Sequence, residues 1–259
     1  MYPKARQTAP PILTDGLIIR TFNKVGEADR FITVLTRDRG VIRAAARGAQ
    51  KFKSRSGSAT QLLCFSRLRL IAGRDAYIVE DAKPLEVFFK LREDIVKTAL
   101  AQYFCELAGA LAPTEEPAEE HLRLLLNALH FLAEDKRPQT LLKAVVEWRL
   151  LTLAGYMPQV SGCEGCGKPD GDMLLSTVGG GLYCPACAPG GCLPLPKSAV
   201  EGLRRTVMGE LSDCFQFSLP DPALHAFSEA AESFLKAQLQ RSFRTLDFYH
   251  SLETGACLP

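Results

Sequence analysis

The chain has 259 residues, of which 47% are hydrophobic and 23% charged, and its net charge is +2. This composition is that of a globular protein with enough apolar sequence to build one or more cores. No stretch resembles a signal peptide, and no run reaches the roughly 18 apolar residues that span a bilayer. We therefore expect a cytoplasmic protein with no membrane partner.

The small net charge hides two parts of opposite sign. Residues 1–84 carry 16 Lys and Arg against 7 Asp and Glu, a net charge of +9, whereas residues 85–259 carry 15 against 22, a net charge of −7. Such asymmetry predicts a polyanionic partner for the first part. Within residues 37–55 the only acid is Asp38, and the cations are Arg37, Arg39, Arg43, Arg47, Lys51, Lys53 and Arg55.

The basic part contains five short runs rich in β-branched or apolar residues, separated by turn signals. The runs are residues 16–22, 30–36, 41–47, 62–71 and 76–81. They predict a small five-stranded β domain. The longer gap at 48–61 can hold a helix or a mobile basic loop. This order of strands and spacer is compatible with an OB-fold barrel.

Alternation within these runs indicates which side chains share a face. Phe65, Arg67 and Arg69 fall on one side of the fourth run, and Arg43 and Arg47 share a side of the third. Cations that follow phosphates and rings that stack on bases form a single-strand binding site. The ring candidates are Phe22, Phe52, Phe65 and Tyr77, and core packing is the alternative role for each.

The predicted nucleic-acid contacts follow from this pattern. We predict phosphate contacts at Arg39, Arg43, Arg47, Lys51, Lys53 and Arg55, with Lys24, Arg67, Arg69 and Arg74 as second choices. We predict base stacking at Phe65 and Tyr77.

Beyond residue 84 the apolar residues recur at helical spacing. The pattern predicts helices near residues 100–111, 122–132, 142–153, 198–208 and 221–240. The predicted fold is therefore multi-domain α+β. It comprises an OB-fold barrel (1–84), a helical domain (85–158 and 193–259) and an inserted four-cysteine, zinc-ribbon-like hairpin (159–192).

The hairpin sequence, residues 163–187, reads CEGCGKPDGDMLLSTVGGGLYCPAC and places two Cys-x-x-Cys pairs seventeen residues apart. Nine cysteines, an odd number, do not suit a disulfide scaffold in a reducing cytosol. Neither pair opens a helix after a strand, as a thioredoxin-type redox site would, and the H-x-E motif of zinc deaminases is missing.

Four-cysteine zinc sites are normally closed to water and substrate. We therefore expect one structural Zn²⁺ at Cys163, Cys166, Cys184 and Cys187. Cys192 is either a spare thiol or a substitute ligand. No histidine has ligand or catalytic spacing, so we expect no catalytic residue and no small-molecule substrate.

Three stretches resemble the bacterial recombination mediator family RecO. They are DGLIIRTFNKVGEADRFITVLTRDRG (15–40), ARGAQKFKSRSG (46–57) and EWRLLTLAGYMPQVSGCEGCG (147–167). The resemblance runs nearly end to end and implies an OB domain, a helical domain and, in some members, a zinc module.

The resemblance also implies a function without catalysis. Members of the family bind single- and double-stranded DNA, anneal complementary strands and associate with RecR. They help to load RecA onto DNA coated by single-stranded-DNA-binding protein. By this resemblance we expect a nucleoid-associated cytoplasmic protein, whose acidic helical domain is a docking platform for proteins.

Two other classes compete with this interpretation. A zinc-ribbon protein of transcription or translation would bind RNA through the same basic β domain. A metallo-hydrolase or nuclease is disfavoured, because the sequence offers no cluster of His and Asp around an open metal position.

Overall fold

The computed structural model describes residues 10–23, 28–51, 54 and 56–254. The chain forms two compact units. The barrel unit is Met1–Phe89 with Ala112–Leu126, and the helical unit is Lys90–Leu111 with Asn127–Pro259. The expected fold class, a five-stranded barrel followed by helices and a four-cysteine hairpin, is confirmed. The domain boundaries at 84/85, 158/159 and 192/193 stay a prediction.

The barrel consists of five strands in the closed order β1-β2-β3-β5-β4. Only β3 and β5 pair in parallel, and the other neighbours are antiparallel. This is the arrangement of an OB-fold. The strands are β1 (Ile12–Asn23), β2 (Arg30–Thr36), β3 (Gly40–Ala46), β4 (Cys64–Ile71) and β5 (Tyr77–Val87).

Alternating side chains fill the interior of the barrel. The core includes Ile32 and Val34 of β2 and Leu68 and Leu70 of β4, all at most 2% exposed. Because the apolar positions point inward, the basic residues between them on β3 and β4 point outward. The predicted faces of these strands are therefore correct in the structure.

The spacer between β3 and β4 forms turns, and no helix lies among its described residues. Arg30 of β2 ties it to the barrel, because its Nη1 donates to the carbonyl oxygen of Gly57 at 2.7 Å and to Oγ1 of Thr60 at 3.0 Å. Burial lowers the pKa of Arg30 from its ordinary value. This arginine is therefore a structural tether.

A segment from outside the barrel sequence lies against the turn between β2 and β3. We call residues 113–120 the acidic strap. The N–H of Val41 donates to the carbonyl oxygen of Pro113 at 2.8 Å, and the N–H of Ala118 donates to that of Arg37 at 2.9 Å. Gly40 has a φ of +54°, and a Cβ at this position would lie 2.0 Å from the Pro113 carbonyl oxygen. Only glycine therefore lets the strap approach this closely.

The helical unit is built around α3, which packs against α1, α4 and α5. The five predicted helices are present, and α6 was not predicted. Among the described residues, no helix is both long and apolar enough to cross a membrane. The helices of the chain are α1 (Ile95–Leu111), α2 (Glu119–Ala133), α3 (Gln139–Leu153), α4 (Lys197–Met208), α5 (Asp221–Leu239) and α6 (Arg244–Glu253).

A buried polar cluster joins three of these helices. The Nζ of Lys143 on α3 lies 3.0 Å from Oε1 of Glu147 and 2.7 Å from Oε2 of Glu232 on α5. Tyr103 on α1 donates its hydroxyl to Oε1 of Glu147 at 2.7 Å. Burial alone would raise the pKa of Glu232, but the Lys143 ammonium holds it at about 2. Loss of one partner would leave an uncompensated buried charge.

The structure predicts an acid-sensitive histidine next to the strap. His121 is 7% exposed, and neither ring nitrogen has a hydrogen-bond partner among the described residues. Burial lowers the pKa of His121 below its ordinary value of 6.5. As the pH falls below 6.5, His121 takes up a proton in the unfolded chain before it does so in the folded chain. The free energy of unfolding therefore decreases.

We expect His121→Leu to stabilise the protein by about 1–3 kcal/mol, because it removes an unsatisfied buried polar group. The gain in melting temperature should be larger at about pH 5.5 than at about pH 7.5. The control is His225→Leu, since His225 is exposed. An equal gain at both pH values would contradict the assignment.

Candidate nucleic-acid interface and metal centre

One outer surface of the barrel combines cations with aromatic rings. Arg20 of β1 lies opposite Thr33 of β2, which lies opposite Arg43 of β3. In the next row Phe22 of β1 lies opposite Phe31 of β2. Directly opposed residues of antiparallel strands project to the same side of the sheet. We call these five residues the β1–β3 face.

The β1–β3 face is accessible. Phe22 is 58% exposed, and Arg20 and Arg43 are also exposed. An exposed phenylalanine next to an arginine on the same side of a strand suits a base that stacks while its phosphate contacts a cation.

Sequence alternation did not find Arg20 because β1 contains an irregularity. The register shifts between Ile18 and Arg20, and Leu17, Ile18 and Ile19 are all buried. This shift interrupts the period of two and turns Arg20 and Phe22 outward. The sequence signal that Phe31 faces outward was weak, namely its position next to Ile32, which is buried.

Three of the predicted phosphate contacts belong to this face or follow it closely in sequence, and all three are accessible. Arg43 is on β3, and Arg47 and Lys51 follow its end; all three are exposed. None of them forms an ion pair with another described residue. The predicted contacts Lys24, Lys53 and Arg55, and the ring of Phe52, lie outside the described residues.

Other predicted cations already have carboxylate partners. Arg67 binds Asp15 with both Nε and Nη2, at 2.8 and 3.0 Å, and this hydrogen bonding lowers the pKa of Asp15. Arg69 lies 2.5 Å from Glu80. Arg39 lies 4.0 Å from Glu115 of the acidic strap, and Arg74 is exposed. The paired arginines would have to exchange a carboxylate for a phosphate in order to bind nucleic acid.

The two predicted stacking residues are less accessible than Phe22. Phe65 is half-buried on β4, opposite Leu17. Tyr77 is also half-buried and packs against the barrel core. Its hydroxyl donates to Oε2 of Glu115 at 2.8 Å, and burial followed by this hydrogen bond raises the pKa of Tyr77.

The four paired cysteines form a cluster in the helical unit. The Sγ atoms of Cys163, Cys166, Cys184 and Cys187 all lie within 4.8 Å of one another, and Cys192 is not a member. The Sγ atoms of Cys166 and Cys184 are 3.8 Å apart. Four sulfurs arranged tetrahedrally at about 2.3 Å from a zinc ion have edges of about 3.8 Å. The donor set therefore fits a metal ion, and the cysteines are not disulfide-bonded.

A four-stranded sheet supports the cluster, with the order β6-β8-β7-β9. The expected hairpin, formed by β7 and β8, is confirmed. The Gly167 N–H donates to the Cys163 carbonyl oxygen at 2.8 Å and closes the first turn. Hydrogen bonding from the backbone of Cys184 lowers the pKa of Cys163 to about 6, which favours the thiolate. The strands are β6 (Gln159–Cys163), β7 (Met173–Leu175), β8 (Gly181–Tyr183) and β9 (Leu193–Leu195).

Gly165 lets the two cysteine turns approach each other. A Cβ at this position would lie 2.7 Å from the Cβ of Cys187 and 3.0 Å from its Sγ. Any larger residue would push the second turn away from the first. The cysteine spacing alone did not reveal this requirement.

Together, the barrel and the cluster define an OB-fold protein with a four-cysteine module whose donor set fits a metal ion. The family model described as Recombination protein O N terminal matches residues 11–88, and that described as Recombination protein O C terminal matches residues 92–247. The chain belongs to the RecO family.

Similar proteins cover most of the chain. The chain is 32% identical to the DNA repair protein RecO of Acetivibrio thermocellus, over 94% of this chain and 98% of that protein. It is 33% identical to the DNA repair protein RecO of Symbiobacterium thermophilum, over 93% and 97% respectively. With that of Desulforudis audaxviator it shares 39% identity over 67% of this chain and 69% of that protein.

The clash at Gly165 predicts that Gly165→Ala weakens metal binding. We expect the affinity for cobalt(II), which reports thiolate ligation by its absorption, to fall by about tenfold or more. Gly190→Ala is the matched control, because a Cβ at Gly190 meets nothing within 4 Å. Equal cobalt affinities in the two variants would show that the close approach is not required.

Proposed function

We propose that this protein is a non-enzymatic recombination mediator in DNA repair that binds single- and double-stranded DNA and anneals complementary strands. The observation that carries the proposal is the β1–β3 face, where the exposed Phe22 lies in the row next to the one that holds Arg20 and Arg43. Membership of the RecO family, whose relatives are named DNA repair proteins, supports DNA as the polyanion.

The contacts divide into two kinds. The proposed phosphate contacts are Arg20, Arg43, Arg47, Lys51, Lys53 and Arg55. The proposed stacking residues are Phe22 and Phe31. Phosphate contacts position a strand without reading its sequence, and stacking tolerates every base. The face is therefore suited to single strands of any sequence. Arg39, Lys24, Arg67, Arg69 and Arg74 are secondary phosphate contacts, and Phe65 and Tyr77 are secondary stacking residues.

Annealing at this surface needs no bond chemistry. Two strands repel each other as polyanions, and a basic surface that holds both lowers this repulsion and raises their effective concentration. Base pairing then supplies the driving free energy.

The acidic part of the chain has a different role in this proposal. Residues 85–259 carry a net charge of −7, which disfavours phosphates overall. We assign to this part the docking of RecR and of single-stranded-DNA-binding protein. The mediator thereby assists the loading of RecA at the nucleoid.

The four-cysteine cluster holds one structural Zn²⁺ in this proposal. Cys163, Cys166, Cys184 and Cys187 would fill all four positions and leave none for water or substrate. The ion would compensate the charge of thiolates that lie within 4.8 Å of one another. Its contribution is therefore to the folding of the hairpin.

The phosphate contacts predict the salt dependence of binding. Each contact lowers the slope of log K against log[salt] by about 0.7 on a single strand. We expect Arg43→Ala to weaken binding of every oligonucleotide sequence and to make the slope shallower by about 0.7. Arg205→Ala, an exposed arginine of α4 in the helical unit, is the charge-matched control. An unaltered slope for Arg43→Ala would place the strand elsewhere.

The stacking role of Phe22 gives a different result in the same titration. Phe22→Ala should cost about 1–3 kcal/mol of binding free energy with the slope unchanged. Because Phe22 is 58% exposed, the melting temperature of the Phe22→Ala variant should stay at the parental value. Phe65→Ala and Tyr77→Ala serve for comparison, since a ring packed into the barrel lowers the melting temperature. Tighter binding of RNA than of DNA would favour the RNA-binding alternative.

Removal of one ligand tests the zinc proposal. Site assembly contributes on the order of 10 kcal/mol, so Cys163→Ser or Cys184→Ser should lose zinc and unfold the hairpin. Cys192→Ser should keep one equivalent of zinc, because Cys192 lies outside the cluster. Elemental analysis of the three variants gives the result, and purified native protein without zinc would refute the proposal.

A further inference from the structure

The acidic strap brings four glutamates to the edge of a basic surface. Residues 113–120 read PTEEPAEE and contain Glu115, Glu116, Glu119 and Glu120. Backbone hydrogen bonds from Val41 and to Arg37 hold the strap at both ends. The strap is therefore a built part of the barrel unit, although its sequence follows α1 and includes the first two residues of α2.

Glu115 contacts two residues of the predicted nucleic-acid site. Its Oε2 accepts the hydroxyl hydrogen of Tyr77 at 2.8 Å and lies 4.0 Å from Nη1 of Arg39. A second ion pair, 4.0 Å long, joins Glu119 to Arg37. Carboxylate and phosphate oxygens accept hydrogen bonds from the same donors. The Glu115 carboxylate thus takes the place that a phosphate oxygen would occupy at Arg39 and Tyr77.

The backbone of Glu115 supports this view. Its φ is +59°, in the left-handed region that non-glycine residues rarely adopt. Such strain persists only where the surrounding structure imposes it, and it concentrates at functional sites. Backbone hydrogen bonds of Pro113 and Ala118 flank Glu115, and its carboxylate accepts the hydroxyl hydrogen of Tyr77.

We propose that Glu115 is a built-in competitor of nucleic acid, which occupies Arg39 and Tyr77 until a phosphate displaces its carboxylate. The inference rests on the proposed function. The exchange is feasible because both side chains of the Arg39–Glu115 pair are exposed, and such pairs contribute little free energy. The strap itself stays in place during the exchange, and only the Glu115 side chain turns away. A weakly bound anion is thus excluded from Arg39, whereas a strand that also contacts the β1–β3 face displaces Glu115.

Glu115→Gln tests this competition, because it removes the charge and keeps the size. We expect single-stranded DNA to bind up to about fivefold more tightly, the equivalent of one exposed ion pair. The slope of log K against log[salt] should become steeper by up to about 0.7, since the displaced Glu115 carboxylate of the parent takes up a cation and so offsets part of the counterion release, whereas the glutamine of the variant takes up none. The assay is a salt-titrated oligonucleotide binding measurement on the full chain, with thermal melts to verify folding.

Two controls separate competition from a general effect of charge. Glu116→Gln removes the same charge from the strap, and Glu116 forms no ion pair with a described residue; its slope should equal that of the parent. In an Arg39→Ala background, Glu115→Gln should leave the slope unchanged.

Three outcomes would overturn the inference. Weaker binding by Glu115→Gln would mean that Glu115 orients Arg39 for the strand. Equal effects of Glu115→Gln and Glu116→Gln would reduce the strap to a diffuse negative charge, and an unchanged slope would exclude Arg39 from the exchange. In each case the parent still binds DNA, whereas a parent that fails to bind refutes the proposed function itself.

Discussion

Closure of the barrel by β1 is the constraint on which the rest of the barrel unit depends. This strand pairs with β2 along one edge and with β4 along the other, so no edge of the sheet stays open. Closure commits the apolar side chains to the interior, and every charged residue between them must face outward. The register shift after Ile18 then lets one strand serve both neighbours and still present Arg20 and Phe22 outside. The candidate interface is thus a by-product of how the core is sealed.

On the described outer surface of the barrel, some cations are free to bind a phosphate and others are already paired with a carboxylate. Arg67 and Arg69 contribute to the net charge of the first part, yet each already lies against a carboxylate. A carboxylate partner reduces both the local potential and the gain from a phosphate, since the bond to the protein must be given up first. Arg43, Arg47 and Lys51 have no such partner among the described residues. The ion pairs therefore give a physical reason for placing Arg67 and Arg69 below Arg43, Arg47 and Lys51, the order already predicted from the sequence.

The elements that were predicted correctly from the sequence are those whose structure depends on residues close together in the chain. The second strand, Arg30–Thr36, matches its prediction residue for residue, because it is a short run of β-branched and apolar residues bounded by turn signals. The cysteine cluster followed from spacing, since two short turns bring four thiols together without help from distant sequence. The strap could not be predicted, because it depends on hydrogen bonds between residues more than seventy positions apart. The pairing of Arg67 with Asp15 was hidden for the same reason, since only the register of β1 and β4 brings them together.

The placement of the strap also bears on how the chain can be divided. The polypeptide passes between the barrel unit and the helical unit after Phe89, after Leu111 and after Leu126. No single cut therefore releases a complete barrel unit, and a fragment ending at residue 89 would leave the Val41 N–H and the Arg37 carbonyl without their native acceptor and donor. The two units are consequently not interchangeable modules joined by a linker. In a gene fusion that exchanged one barrel for another at residue 89, the new barrel would have to bind the strap of this chain. It would therefore need a glycine at the position of Gly40.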